Sequence, residues 1–173
     1  MKMLIVSALV CAMMVLTRAA APPEETPPEE TESRLVKRST ACPPGWSLSG
    51  GRCYHYNPRN MTWAGAEKNC QAQGGNLASV HNIRQFFHVQ KLIFQATRTY
   101  DLAWIGGSDA EENGQWFWSD GTPFRYRHWC HGESNDGVVG GQHCLQMNFS
   151  GHKCWDYIPC SNQLPSVCVM NSK

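Results

Sequence analysis

Ala103-Trp104-Ile105-Gly106-Gly107-Ser108, the polar turn Asp109-Ala110-Glu111-Glu112-Asn113-Gly114-Gln115, and Trp116-Phe117-Trp118-Ser119-Asp120-Gly121 form the stretch whose reading decides the fold. Two short apolar runs flank a segment built from turn-forming residues, the signature of short strands rather than of a helix. Glu111 and Glu112 sit in that turn and read as solvated loop, not as an acid–base pair. Further strand-like runs follow at Cys144-Leu145-Gln146-Met147 and Ser166-Val167-Cys168-Val169. Upstream, the period changes. Thr62 is placed to cap a helix carrying Trp63, Ala66, Glu67 and Cys70, which Gly74-Gly75 would stop. A second helix over 83–96 puts Phe86, Val89, Leu92, Ile93 and Ala96 on one face. Helices first and short strands later predict an α+β domain.

Outward from that core, the N-terminus reads as a leader. Lys2 precedes an apolar run of 14 residues, Met3 to Leu16, and small residues at 19–21 suit signal peptidase. A bilayer core about 30 Å thick needs a longer span, so residues 1–21 are expected to be a cleaved signal peptide and the product secreted. Residues 22–41 form an acidic Pro/Glu-rich linker or propeptide. Five Glu lie between 24 and 32, in a tandem of Pro-Pro-Glu-Glu-Thr. Lys37-Arg38 is either a processing site that releases this segment or part of a charged linker. The folded domain is expected over 42–173.

Composition excludes other classes. The 173 residues carry a net charge of +1 with 17% charged residues, too little positive excess for nucleic-acid binding. No second long apolar stretch follows the leader, so membrane insertion is not expected. Nine Cys become eight once Cys11 leaves with the signal. In an exported chain, Cys42, Cys53, Cys70, Cys130, Cys144, Cys154, Cys160 and Cys168 read as four bridges, and spacing leaves all 105 pairings open. A zinc site needs Cys two to four residues apart, and the nearest pair here, Cys154 and Cys160, is six apart. His128, His131, His143 and His152 have no metal-ligand spacing either. With the cysteines committed to bridges, no nucleophile and base can be paired, and no enzyme is expected. Asn60-Met61-Thr62 and Asn148-Phe149-Ser150 are glycosylation sequons, with Asn60 the better acceptor at a helix start. Trp104, Trp116, Trp118 and Trp155 read as core.

Taken in order, several motifs resemble one family. They are Cys42-Pro43-x-Gly45-Trp46 with Cys53, Met61-Thr62-Trp63-Ala64, Asn76-Leu77-Ala78-Ser79-Val80-His81, Trp104-Ile105-Gly106-Gly107, Trp116-Phe117-Trp118-Ser119-Asp120-Gly121, and Cys154-Trp155-Asp156-x-x-Pro159-Cys160. Residues 42–170 resemble the C-type lectin-like domains, most of all secreted fish lectins of the lactose- or mannose-binding type and type II antifreeze proteins. The resemblance implies two helices with short antiparallel strands and a long disulfide-braced loop region. It also implies the bridges Cys42–Cys53, Cys70–Cys168, Cys144–Cys160 and Cys130–Cys154. Antifreeze members of the family carry ten Cys in the domain. Their additional pair would fall at Ala110 and His143 here. Cys144-Leu145-Gln146-Met147 and Lys153-Cys154-Trp155-Asp156, in contrast, look very like the antifreeze members.

Lectins of this family hold calcium in the long loop, where vicinal sugar hydroxyls complete the coordination. Their mannose-type triplet Glu-Pro-Asn reads Glu133-Ser134-Asn135 here. Gln142 stands where a further Glu is expected, and Asp156-Tyr157 replaces the last acidic pair. The family's Pro sits in a cis peptide, which costs about 0.5–1 kcal/mol before Pro and roughly 2.5–4 before Ser, so Ser134 loosens the geometry. Tyr157 is a neutral phenol, and three carboxylates become two, Glu133 and Asp156. The resemblance therefore implies sugar binding through Glu133, Asn135, Gln142 and Asp156 in the 130–157 region, with calcium on Glu133, Asn135 and Asp156 weak or absent. Asp136 would substitute only in a rearranged loop. A glycan-binding lectin of innate defence is the expected function. An ice-binding protein on the same fold is the alternative, and a protein-binding domain without sugar activity is a third.

Overall fold

The computed structural model describes residues 41–131 and 143–173. The expected signal peptide, 1–21, lies outside them, as does the linker, 22–41, apart from Ala41. Ten elements follow in order: β1 (Ser47–Ser49), β2 (Arg52–Met61), α1 (Trp63–Ala72), β3 (Asn76–Leu77), α2 (Ile83–Thr97), β4 (Ala103–Ser108), β5 (Phe117–Trp118), β6 (His143–Phe149), β7 (Cys154–Pro159) and β8 (Leu164–Asn171). Strands run in the order β1-β2-β8-β4-β6-β7, with β3 on β8 and β5 on β4. Pairing is antiparallel except between β4 and β8, which meet in parallel at Trp104 and Ser166. The fold is α+β.

The apolar runs are continuous because the sheet is buried on both faces. Successive strand residues point to opposite sides. Ile105, Leu145, Met147, Val167 and Val169 pack with Phe86, Val89 and Ile93 of α2. Their neighbours Trp104, Cys144 and Cys168 turn the other way and pack with Ala66 and Cys70 of α1. Trp104, Trp116, Trp118 and Trp155 are all buried. Trp104 is fully buried and Trp63 half-buried, and each donates Nε1–H to a carbonyl, of Met61 and Ile105 respectively, both at 2.9 Å.

Local chemistry sets the helix ends. Thr62 accepts from the Gly65 N–H at 3.2 Å, and Asn82 does the same for α2 from Gln85 at 3.0 Å. The face expected for α2 needs one correction: Leu92 is half-buried and Ala96 is exposed, because the last turn runs past the edge of the core. Trp116 also lies just outside β5, although its ring is in the core.

Four disulfides join Cys42–Cys53, Cys70–Cys168, Cys130–Cys154 and Cys144–Cys160, the pairings implied by the resemblance. Cys70–Cys168 ties α1 to the last strand. No helix among the described residues is long and apolar enough to cross a membrane.

Candidate functional site

Strand β7 is the platform on which the candidate site is built. On one side, Cys130 is bonded to Cys154, its N–H donates to the Trp155 carbonyl at 3.0 Å, and the Trp155 N–H donates to the His128 carbonyl at 2.8 Å. On the other, His143 and Cys144 pair with Pro159 and Ile158, and Cys144 is bonded to Cys160. The segments on either side of 132–142 are thus both fastened to β7. Asp156 and Tyr157 lie on the strand between these two fastenings.

Asp156 is buried and faces Gln146 across the β6–β7 pair, where the Gln146 amide donates to Oδ2 at 2.6 Å. That bond holds the carboxylate in one orientation. Tyr157 packs its ring near Trp116, Trp129 and His143, with centroids 5.8, 6.0 and 5.2 Å away. Its place is taken up by aromatic packing, and it offers no carboxylate to a cation. Glu133, Asn135 and Gln142, with Ser134 and Asp136, lie outside the described residues. Of the expected calcium ligands, only Asp156 is therefore placed. Among the described residues, no three His, Cys, Asp or Glu are grouped to hold a metal.

Of the two positions that the resemblance gives to an additional antifreeze bridge, Ala110 and His143, the second meets the neighbour of the first without a covalent link. Asp109, next to Ala110, accepts from the His143 N–H at 3.0 Å, and the Asp109 N–H donates to the His143 carbonyl at 3.2 Å. The His143 ring lies 3.6 Å from the same carboxylate. Hydrogen bonds close this junction where a disulfide would otherwise do so.

The sequons differ in setting. Asn60 is exposed on β2. Asn148 is 3% exposed and donates Nδ2–H to the Asp101 carbonyl at 3.0 Å.

The family of the Lectin C-type domain matches residues 59–170. The chain belongs to the C-type lectin domain family. It is 41% identical over 170 residues to a type-2 ice-structuring protein of Hemitripterus americanus, covering 97% of this chain and 99% of that one. It is 39% identical over 140 residues to the galactose-specific lectin nattectin of Thalassophryne nattereri, covering 80% and 87%. A solved calcium-independent type II antifreeze protein superposes with a TM-score of 0.68 at 38% identity, over 77% of this chain and 96% of the other. A calcium-dependent one, in its calcium-free form, gives 0.67 at 35% identity, over 75% and 100%. The relatives that this chain matches are lectins and antifreeze proteins, which are not enzyme families.

Two features of this C-type lectin domain carried no signal in the sequence. Gln146 reads as one strand residue among several, and only the β6–β7 register makes it the partner of Asp156. Asp120 reads as a turn residue in Trp-Ser-Asp-Gly. In the fold it is the centre of a hydrogen-bonded cluster with Arg52, Ser79 and Thr122.

Proposed function

We propose that this chain is a secreted lectin that recognises glycan hydroxyls at the β7 platform, using Asp156 with Glu133, Asn135 and Gln142 of the adjoining loop. The observation that supports this reading most is the fastening of both loop stems to β7 on either side of a buried, oriented Asp156. Loops held on a rigid scaffold are where recognition concentrates. The reading gives calcium a minor part. Affinity for calcium follows the number and rigidity of carboxylate ligands, and Tyr157 stands in the place of one of them. Solved relatives of both the calcium-dependent and the calcium-independent kind accommodate either outcome. The test is retention on mannose-, galactose- and lactose-agarose with and without EDTA. Retention in both conditions, lost in Glu133→Ala/Asn135→Ala, is expected. No retention on any sugar in either condition removes the reading.

The second reading is ice binding. It is favoured by near full-length similarity to ice-structuring proteins at 41% and 40% identity. The Asp109–His143 contact in place of the tenth-cysteine bridge weighs against it. Thermal hysteresis with shaped ice crystals from the purified protein would establish it in place of the lectin reading.

A further inference from the structure

Away from β7, five chain segments converge on a concavity of about 440 Å³, within the range of small-ligand sites. It is lined by Arg52, Asn76, His81, Asp120, Thr122 and Asn171, with Met170 of β8 supplying an apolar wall. β8, which contributes that wall, is separated from β7 by β4 and β6 in the sheet order. At strand spacings of about 4.8 Å, the two surfaces stand roughly 14 Å apart.

The hydrogen bonds around Asp120 define the chemistry on offer. Arg52 gives Nη2–H to Asp120 Oδ2 at 2.7 Å and Nη1–H to the Ser79 hydroxyl at 2.8 Å. Both side chains are largely buried, 16% and 10% exposed. Ser79 donates its own proton to Oδ2, and Thr122 donates its hydroxyl and its N–H to Oδ1. Both charges are thus satisfied internally, which leaves little to attract a free anion or cation. The His81 Nε2 lies 3.1 Å from the Ser79 hydroxyl and 3.2 Å from that of Thr122. Since both hydroxyls spend their protons on Asp120, Nε2 must carry the hydrogen between them. The neutral ring then presents Nδ1 as an acceptor. Of the remaining lining groups, the Asn76 amide already donates one Nδ2–H to Glu67 at 2.6 Å, and the exposed Asn171 amide combines donors and an acceptor. Gly75 on the rim packs directly on β8: a Cβ there would run into the Val169 carbonyl oxygen.

We infer that this concavity is a second binding site, for one neutral, hydroxyl-rich saccharide unit, working without metal. Hydroxyls both donate and accept, which matches a lining of amides and an imidazole acceptor around a closed ion pair. The C–H face of a sugar ring fits the apolar side chain of Met170.

The test is a titration of the ¹⁵N-labelled protein in EDTA with galactose, mannose, N-acetylglucosamine and lactose, and separately with sulfate and N-acetylneuraminic acid. The amide resonances of Gly74, Gly75, Thr122 and Asn171 are expected to shift with at least one neutral sugar. Thr122→Val and Asn171→Ala should weaken that response at least fivefold while leaving the rest of the spectrum in place. Glu133→Ala/Asn135→Ala should leave it unchanged. Shifts confined to the Asp156 and Tyr157 amides would support the β7 site and overturn this one. Response to sulfate alone, or wild-type affinity in both pocket variants, would also overturn it.

Discussion

At Asp120, burial raises the carboxyl pKa, but hydrogen bonds from Ser79, Thr122 and Arg52 outweigh it and hold the group below its ordinary 3.8. Beside it, burial together with the Arg52 charge lowers His81 below 6.5, despite the opposing pull of Asp120. Burial lowers His88 and His128 in the same direction. The signs agree. In each case the unfolded chain binds protons at a higher pH than the fold does, so stability falls as pH falls. The histidine contribution is lost as pH drops below 6.5, and that of Asp120 only as pH drops through its depressed folded value. The melting temperature is therefore expected to decline from pH 7 to pH 5 in calorimetric scans. His81→Gln, which keeps an N–H donor and does not titrate, should flatten part of that decline. A slope unchanged by the substitution would show that His81 takes no part. Asn60 and Asn148 contrast at the same scale. The amide nitrogen of Asn148 is committed to Asp101, so glycopeptide mass spectrometry is expected to find the glycan on Asn60 alone.

Among the elements, the helices were the easiest to read. Caps, stop signals and a 3.6-residue period are local, and both helices start at the expected residues. Removing a side-chain cap costs about 0.5–2 kcal/mol. Thr62→Ala and Asn82→Ala should each lower the unfolding free energy by that amount, read as a lower urea midpoint with the slope of the transition unchanged. The strands were less legible. β4, β6 and β8 announce themselves as apolar runs because both faces of the sheet are covered. β2 did not, since Arg52-Cys-Tyr-His-Tyr-Asn-Pro-Arg-Asn-Met61 mixes charge, amides and a proline. It pairs regularly with β8 up to Asn57 and resumes at Met61, shifting register around Pro58, which has no N–H to give. β7 was visible as a motif without being visible as a strand. That mattered for the site, because the opposition of Gln146 and Asp156 exists only in the paired register.

For the whole molecule, the disulfides divide the work unequally. Cys70–Cys168 closes a separation of 98 residues and Cys42–Cys53 one of 11. Loop-closure entropy makes the longer bridge worth about 2 kcal/mol more. Cys70→Ala/Cys168→Ala should therefore destabilise the protein more than Cys42→Ala/Cys53→Ala in denaturant titrations. Equal losses would mean that local packing, not chain entropy, sets their value. Calorimetric calcium titration belongs at this scale too. Weak or undetectable heat is expected, and a tight, stoichiometric site would show that the loop supplies ligands beyond those the sequence offers.

The sequence by itself determined the class of the domain, its helices and the central tryptophans, because local periodicity, capping and turn chemistry act over a few residues. Its motifs, matched in order, also carried the family. Only the tertiary structure decided that Asp156 is held by Gln146, that Asp109 closes on His143, and that Arg52, Ser79, His81 and Asp120 meet in one hydrogen-bonded cluster. Those contacts join residues 10, 34, 27 and 68 positions apart, for the pairs Gln146–Asp156, Asp109–His143, Arg52–Ser79 and Arg52–Asp120. Strand order and register create them, and neither is written in any short stretch of chain.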